Sequence, residues 1–344
     1  MNKHAYGVSL GLLLVLSVLI SACATPSGTR NMHVQTKPWS YFGTAPDSFW
    51  WSDKVEIGKL HKNAKKYGNG RTVAILDSGF AAKQSDVNPP SRVDPSGVES
   101  CSANPTKNID DINGHGTAMA VIALGDEKPD TPNGRATGGI AAKAKLLPIK
   151  VVCGVSTADS VTRGVDIAVK AKVDVILLAL GGWPSDLNSK NETVHDRLLE
   201  PVTKNRDILF VVASVWDGTT SMFPTWTSEE NVIVVAAMTL KPARSPAAPA
   251  EDYYSDKRGD IWAPGRDVET AFIDYGDPKY SGKYGEYLMQ GTSAAAAIVA
   301  GCAAAVKLDT DTKALTLKKR LVDKAANTLP RREPRLDCLG AVTP

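Results

Sequence analysis

The sequence predicts an α/β protein built on a doubly wound, mostly parallel sheet with helices on both faces. Short apolar runs alternate along the chain with segments that suit helices, and this order is typical of βαβ units. The runs are continuously apolar, whereas a half-exposed strand would alternate polar and apolar residues, so both faces of each strand should be covered. The predicted strands comprise residues 71–76, 145–152, 173–180, 207–213 and 231–237.

The segments between and after these strands predict the helices. Residues 117–124, 158–172 and 193–204 separate predicted strands and are compatible with helices. Residues 293–306 read SAAAAIVAGCAAAV, which is small and apolar on every side and is typical of a helix packed deep in a protein. Residues 311–324 predict a further helix with one apolar side.

Composition excludes several classes of protein. The chain has 344 residues, of which 43% are hydrophobic and 22% charged, and this excludes a disordered, collagenous or coiled-coil protein. Its 40 basic and 37 acidic residues give a net charge of +3 without a long run of one sign, so no nucleic-acid partner is expected. Neither a P-loop nor a GxGxxG string follows a predicted strand, and we expect no cofactor.

The N-terminal segment predicts an export signal followed by a tether. Lys3 and His4 precede an apolar stretch, residues 8–20, that has the length of a signal-peptide core and is too short to span a membrane. Residues 1–22 are therefore assigned to a signal peptide. Residues 23–48 contain several prolines and little apolar periodicity, which suits a flexible tether. We expect one folded domain over residues 49–344.

The end of the signal resembles a lipid-attachment site. The sequence Ile20-Ser21-Ala22-Cys23 is similar to the lipobox of bacterial lipoproteins. The resemblance implies cleavage before Cys23 and attachment of diacylglycerol to its thiol, which would anchor the protein by lipid to a membrane of the bacterial cell envelope. The alternative is an ordinary signal peptide with a chance cysteine at its cleavage site.

The other four cysteines indicate two disulfides. Cys101, Cys153, Cys302 and Cys338 form an even set in an exported protein, and three pairings are possible. Buried free thiols are the alternative. No CxxC pair, HExxH string or cluster of histidine and carboxylate residues has the spacing of metal ligands, so we expect no metal site.

Three residues at the ends of predicted elements carry chemistry. Asp77 follows the first predicted strand, and ligands and reactions in open α/β sheets collect at that end of the strands. His115 stands between two glycines before a predicted helix, and it is the only one of the five histidines so flanked. Ser293 follows Gly291-Thr292 before the buried helix.

Each of these residues also has a structural alternative. Asp77 is equally suited to cap a helix or to bind a ribose or a metal. His115 could be a core residue whose ring nitrogens are hydrogen-bonded within the protein. Ser293 could be the N-cap of a helix. Together, however, a hydroxyl, an imidazole and a carboxylate are the groups that acyl transfer through serine requires.

The sequence resembles the subtilisin-like serine proteases over roughly residues 49–306. The matching motifs are TVAILDSG at 72–79, DDINGHGT at 110–117 and GTSAAA at 291–296, in the chain order Asp, His, Ser. The resemblance implies that Asp77 orients His115, that His115 is the general base, and that Ser293 is the nucleophile of an acyl-enzyme mechanism.

The same resemblance implies a substrate-binding edge and exposes one departure. Leu180, Gly181 and Gly182 are similar to the segment along which the family binds an extended peptide as an added strand. In the family, an asparagine side chain usually supplies one of the hydrogen bonds to the oxyanion of the reaction intermediate. Here Trp216 stands at that place, followed by Asp217. A neutral Asp217 or the indole N–H of Trp216 would have to replace that donor, whose loss costs about 100-fold to 1000-fold in turnover.

Two functions follow from this resemblance. The first is a serine endopeptidase that acts on proteins or peptides as a lipid-anchored monomer. The alternative is a catalytically impaired lipoprotein of the same fold that binds peptides or a partner protein. The missing asparagine favours the alternative. A protein can also keep the fold of an enzyme family without keeping its activity.

Overall fold

A computed structural model describes most of the chain from residue 50 onward. The described residues are 33–35, 50–63, 67–82, 87, 90–111, 113–126, 138–180, 194–214, 229–241, 250–253, 255, 259–274, 283–306, 314–326, 329 and 333–343. Their α-helices are α1 (Trp50–Lys54), α2 (Ile57–Asn63), α3 (His115–Leu124), α4 (Ala158–Lys170), α5 (Val194–Lys204), α6 (Thr292–Ala305), α7 (Ala314–Asp323) and α8 (Cys338–Val342). In this described part, no helix combines the length and the apolar character that crossing a membrane requires.

The same residues form thirteen strands. These are β1 (His33–Gln35), β2 (Thr72–Asp77), β3 (Val98–Glu99), β4 (Lys145–Lys150), β5 (Val152–Cys153), β6 (Val155–Ser156), β7 (Val175–Leu178), β8 (Leu209–Ala213), β9 (Val232–Lys241), β10 (Ala250–Tyr253), β11 (Ile261–Pro264), β12 (Val268–Asp274) and β13 (Lys283–Gln290).

A mostly parallel sheet forms the centre of the fold. Its strands follow the order β10-β9-β8-β7-β2-β4-β3, and β11 also pairs with β9. Only the pairing of β10 with β9 is antiparallel in this sheet, as far as the described strands go. The predicted fold class, a doubly wound α/β sheet, is confirmed.

Helices cover both faces of this sheet. In β2, Val73 and Ile75 pack in the same core as α3 and α6, whereas Ala74 and Leu76 pack in the core that contains α4 and α5. Because alternate residues of a strand point to opposite faces, both sets of side chains have to be apolar. This arrangement explains the continuous apolar runs of the sequence.

The structure confirms the predicted strands and helices with small differences at their ends. The five predicted strands are β2, β4, β7, β8 and β9, and the five predicted helices are α3 to α7. The largest change for the candidate site is that α3 begins at His115, two residues earlier than predicted. Gly114 makes this early start possible, because its φ of 94° turns the chain into the helix in the left-handed region.

A second sheet is antiparallel, and two of its strands directly precede α6 in the chain. Strands β12 and β13 pair from Val268 with Met289 to Asp274 with Lys283, and β13 ends directly before the turn that enters α6. Strand β1 pairs with the other edge of β13. Residues 33–35 are the only described part of the predicted tether, and they belong to this sheet.

Two small-residue helices pack closely at the centre of the molecule. Every residue of α3 and of α6 is buried. A Cβ atom on Gly301 of α6 would lie 2.7 Å from the carbonyl oxygen of Ala123 in α3, which is closer than such atoms approach. Glycine at this position therefore sets how near the two helices come.

Two disulfides form, as predicted, and the structure selects one of the three pairings. Cys101 pairs with Cys153, and Cys302 pairs with Cys338. The first links the segment after β3 to β5, and Cys153 is exposed. The second joins α6 to α8, and both of its cysteines are completely buried.

This difference in burial predicts an order of reduction. A mild thiol reductant should open Cys101–Cys153 under native conditions well before Cys302–Cys338, because thiol–disulfide exchange requires access to a sulfur atom. Thiols released over time would be alkylated with one reagent, and the rest, after denaturation and full reduction, with a second reagent. Mass spectrometry then assigns each cysteine. The buried pair is the internal control, and simultaneous labelling of all four cysteines would contradict the prediction.

Candidate functional site

The candidate site lies at the carboxyl edge of the central sheet, where β2 and β7 end. Asp77 is the last residue of β2, and Ala179 directly follows β7. The parallel register pairs Ile75 with Leu177, so Asp77 and Ala179 stand at the same level two residues further on. Neighbouring strands lie about 4.8 Å apart, and the two residues therefore share one small region of the edge.

Asp77 and His115 are in direct contact. Nδ1 of His115 lies 2.8 Å from both carboxylate oxygens of Asp77, and both side chains are buried. Oδ1 of Asp77 also accepts a hydrogen bond of 2.7 Å from the backbone N–H of Ser78. A carboxylate at Nδ1 favours the tautomer that carries its proton there, which leaves Nε2 available as a base.

Glycine next to the histidine makes this contact possible. A Cβ atom on Gly116 would lie 2.2 Å from the carbonyl oxygen of Gly79 and 3.1 Å from Cβ of Asp77. No larger residue fits there without displacing the first turn of α3 from the end of β2. The HGT sequence at 115–117 therefore places the imidazole as well as providing it.

The surroundings of His115 favour its protonated form. Burial of the imidazole acts most strongly and lowers the pKa of His115, because it penalises the charged form. The charge of Asp77, its hydrogen bond to the ring, and the charge of Asp111 together outweigh burial and raise the pKa of His115 above its ordinary value. The imidazolium is thus stabilised at the position where a general base would acquire a proton.

Ser293 lies in the first turn of α6 at the same edge of the sheet. The helix begins at Thr292, and Gly291 before it has a φ of 132°, a conformation that favours glycine. Oγ of Ser293 donates a hydrogen bond of 3.1 Å to the carbonyl oxygen of Ala179. Within the described part of the chain, Nε2 of His115 is buried and has no hydrogen-bond partner.

The segment before Ser293 is fixed by the central sheet. The backbone N–H of Gly291 donates to the carbonyl oxygen of Gly265 at 2.7 Å. Gly265 directly follows β11, and a Cβ atom there would lie 2.4 Å from Cβ of Ala237 in β9. The hydroxyl-bearing turn is therefore attached to the sheet that also carries Asp77.

Asp111 also belongs to this site, although no sequence pattern singles it out as a candidate. Its side chain is buried four residues before His115 and accepts hydrogen bonds from Ser78, Asn113, Gly114 and Thr117. An aspartate shortly before a predicted helix is a helix-capping signal in its own right. That signal was present in the DDINGHGT motif, but it does not reveal the contact with Ser78.

Several predicted site residues cannot be placed. Gly181, Gly182, Trp216, Asp217 and Cys23 lie outside the described residues. Leu180 is described, and it is a buried residue next to Ala179. The three candidates that the structure does describe, Asp77, His115 and Ser293, lie at one edge of the sheet; their catalytic roles, like those of the residues outside the description, stay predictions.

One group of side chains has the geometry of metal ligands. Glu99, Cys101 and Cys153 lie close together, and no other such group occurs among the described residues. The two cysteine sulfur atoms are bonded to each other as a disulfide, so neither is a thiolate ligand. This group therefore has no ligand set for a metal in the oxidised protein.

Comparison with known sequences identifies relatives. The sequence model of the subtilase family matches residues 68–337. The major intracellular serine protease of Bacillus subtilis (strain 168) is 30% identical over 205 residues, which are 58% of this chain and 56% of that protein. The intracellular serine protease of Paenibacillus polymyxa is 29% identical over 247 residues, which are 70% of this chain and 67% of that protein. This chain thus spans 56% of the length of its Bacillus relative.

Solved structures share the fold. A protease from Pseudoalteromonas arctica superposes with a TM-score of 0.65 at 21% identity, over 86% of this chain and 96% of that one. A cold-adapted subtilisin-like serine proteinase gives 0.55 at 19% identity, over 80% of this chain and 89% of that one. At such identities the structures support the fold alone. The family match, which covers well over half of the chain, and the shared fold agree that this protein belongs to the subtilase family.

Proposed function

We propose that this protein is a serine endopeptidase that hydrolyses proteins or peptides through Asp77, His115 and Ser293. The observation that carries the proposal is the buried contact of His115 Nδ1 with both oxygens of Asp77. This contact lies at the carboxyl edge of the sheet. The Ser293 hydroxyl is hydrogen-bonded at the same edge, to the carbonyl oxygen of Ala179. Serine acyl transfer requires this set of groups.

The proposed reaction has two halves. Oγ of Ser293 attacks the scissile carbonyl carbon while Nε2 of His115 takes the hydroxyl proton. Asp77 holds the proton on Nδ1 and stabilises the imidazolium. His115 then donates its proton to the leaving amine as the C–N bond breaks, and the acyl group stays on Ser293. In the second half, His115 deprotonates a water molecule that attacks the ester carbonyl carbon. His115 then returns this proton to Oγ of Ser293 as the ester bond breaks and the acid leaves.

The serine hydroxyl has a different hydrogen-bond partner in the structure from the one that the reaction requires. Oγ of Ser293 donates to Ala179, whereas Nε2 of His115 is the group that has to receive its proton. The hydroxyl therefore has to exchange its bond to Ala179 for one to Nε2. Hydrogen bonds between catalytic groups are commonly long or misaligned in free enzymes and tighten when the substrate binds.

The oxyanion of the tetrahedral intermediate needs hydrogen-bond donors. Ser293 lies in the first turn of α6, where backbone N–H groups have no intrahelical acceptor and the helix dipole favours negative charge. We assign the first donor to the N–H of Ser293 and the second to a neutral, protonated Asp217 carboxyl or to the indole N–H of Trp216. Leu180, Gly181 and Gly182 would hold the substrate as an added strand.

A peptide-binding protein with impaired catalysis is the second candidate. The replacement of the usual oxyanion asparagine by Trp216 favours it, since loss of one such donor costs about 100-fold to 1000-fold in turnover. This candidate would keep the substrate-binding edge and lose efficient acyl transfer.

Covalent labelling separates these two candidates. The full-length protein in detergent micelles should react with a fluorophosphonate probe at Ser293, because the probe reports a serine activated by its base. Ser293→Ala should abolish labelling and lower peptide hydrolysis by a factor on the order of 10⁶. The exposed Ser102 supplies the matched control, since Ser102→Ala should label as the wild type does. A folded wild-type protein that does not label would favour the binding function.

The pH dependence tests the role of His115. The base has to be neutral, and its pKa is raised above the ordinary value of about 6.5, so kcat/KM should fall already as the pH drops through a value above 6.5. The measurement is kcat/KM for a chromogenic peptide between about pH 5 and 9. A flat profile, or an acid limb well below 6.5, would contradict this assignment.

We also propose that the protein is exported and held at the bacterial cell envelope by lipid on Cys23. The relatives in Bacillus and Paenibacillus are named intracellular proteases. This chain, however, has two disulfides, which persist in oxidising compartments and are rare in the cytosol. The disulfides support export, and the lipobox-like sequence before Cys23 supports the anchor.

Substitution of the lipidation site tests the anchor. Wild-type protein should fractionate with membranes and incorporate a clickable fatty acid, whereas Cys23→Ser should lose the label and move to the soluble fraction. Ser21→Ala is a matched control that keeps the cysteine and a small residue before it. Membrane recovery of Cys23→Ser equal to that of the wild type would contradict the proposal.

A further inference from the structure

Asp111 is a buried carboxylate that the proposed reaction does not use. Its side chain is 3% exposed, and it lies in the loop that leads from β3 into α3. Buried carboxylates are uncommon unless they are paired or fully hydrogen-bonded. Its partners therefore indicate what its negative charge does there.

Five hydrogen bonds end on this carboxylate, and every partner is a donor. Oδ1 accepts from the Ser78 hydroxyl at 2.8 Å and from the N–H groups of Asn113 at 3.0 Å and Gly114 at 2.8 Å. Oδ2 accepts from the N–H of Thr117 at 2.9 Å and from its hydroxyl at 2.6 Å. Asparagine cannot replace Asp111 without loss, because either orientation of its NH₂ group would face a backbone N–H.

The partners of Asp111 lie before and after His115 in the sequence, and a further partner lies beside Asp77 at the end of β2. Gly114 and Thr117, which Asp111 binds, lie on either side of His115. Ser78 is the residue after Asp77, and its hydroxyl oxygen accepts from the N–H of Gly116 at 3.0 Å while donating to Asp111. The buried carboxylate of Asp111 therefore connects the first turn of α3 to the end of β2, in addition to the direct bonds of Gly116 to Ser78 and of His115 to Asp77.

We propose that Asp111 is a positioning residue for His115, which fixes the imidazole against Asp77 and supplies a second negative charge near it. The kinetic part of this inference rests on the proposed function. The part that concerns the imidazole itself does not.

The charge has a defined place in the reaction. His115 carries a proton in each transition state, and a fixed negative charge nearby stabilises that imidazolium without reorganisation. Asp111 acts in the same direction as Asp77, since both raise the pKa of His115. Among the elements packed on α3, β4 begins with Lys145 and ends with Lys150, which stands opposite Asp77. Strand β12 carries Glu269 and Asp274, and α6 has no charged residue. The groups that raise the pKa of His115 are Asp77 and Asp111.

The test compares Asp111→Asn with Asp110→Asn in the full-length protein in detergent micelles. Both variants remove one negative charge from neighbouring residues, but the Asp110 side chain is exposed. NMR of ¹³C-labelled histidine follows the titration of His115, whose signal is identified by its loss in His115→Gln. Steady-state kinetics gives kcat and KM separately, and circular dichroism establishes that each variant is folded.

In Asp111→Asn, we expect the His115 titration midpoint to move to lower pH, together with the acid limb of kcat/KM. We also expect kcat to fall by about 100-fold at the pH optimum, with little change in KM, because a displaced base affects the chemical step. Asp110→Asn should match the wild type in the titration midpoint, in the acid limb of kcat/KM, in kcat and in KM.

An unchanged midpoint in folded Asp111→Asn would overturn the proposal even if kcat falls, since lost contacts alone would then explain the variant. A shifted midpoint with wild-type kcat in an active enzyme would equally remove the positioning role. If Asp111→Asn does not fold, Asp111→Glu keeps the charge and displaces it by one methylene. Its kcat should fall about tenfold with the midpoint unchanged, and wild-type kcat would overturn the proposal.

Failure of the proposed function gives a different result. In that case, the wild-type protein neither labels with a fluorophosphonate nor hydrolyses peptides. The titration of His115 in the same three proteins still decides whether Asp111 acts on the imidazole.

Discussion

Helix α3 is buried along its whole length, so it has no solvent-exposed face that would determine its orientation in the fold. A surface helix is oriented by burying its apolar stripe. All ten residues of α3 are buried, and its orientation depends instead on close contacts and on its two ends. Gly116 lies directly against the carbonyl of Gly79, and Gly301 of α6 lies against Ala123. Gly116 allows α3 to come near enough to β2 for His115 to reach Asp77, and Gly301 allows α6 to pack closely on α3.

The ends of α3 are held by buried charges of opposite sign. Asp111 accepts hydrogen bonds from the first turn, and Arg92 donates to the carbonyl oxygens of Leu124, the last residue of the helix, and of Ala144. Burial lowers the pKa of Arg92, and the neighbouring charge of Asp126 opposes this. A negative charge at the N-terminus and a positive charge at the C-terminus both complement the helix dipole. Each also satisfies backbone groups that the helix itself leaves without partners.

Local patterns in the sequence were sufficient for the central sheet and for the candidate residues. The apolar runs of β2, β4, β7, β8 and β9 stand out because burial on both faces leaves little choice of side chain. Strands β12 and β13, which read VETAFID and KYGEYLMQ, contain no such run and were not predicted. The strand ends and the glycine-containing motifs also single out Asp77, His115 and Ser293 from the sequence alone.

The remaining features depend on which distant segments meet. Nothing in the spacing of the cysteines distinguishes Cys101–Cys153 from the other two possible partners of Cys101. Asp111 offers a capping signal to α3, but its bond to Ser78 exists because β2 ends beside the loop that precedes the helix. Periodicity describes one segment at a time, so it cannot report a carboxylate shared between two segments.

The contacts of residues 334–338 with β11 and α6 affect when the fold can be completed. Backbone bonds join Trp262 to Pro334 and Leu336, and a disulfide joins Cys302 to Cys338. Residues 334–338 leave the ribosome after every residue of the central sheet, and the disulfide requires an oxidant as well. The helix that bears Ser293 therefore gains its last contacts late, after synthesis has passed residue 338. A nascent chain that has exposed Asp77, His115 and Ser293 still lacks this final support until residue 338 has also emerged.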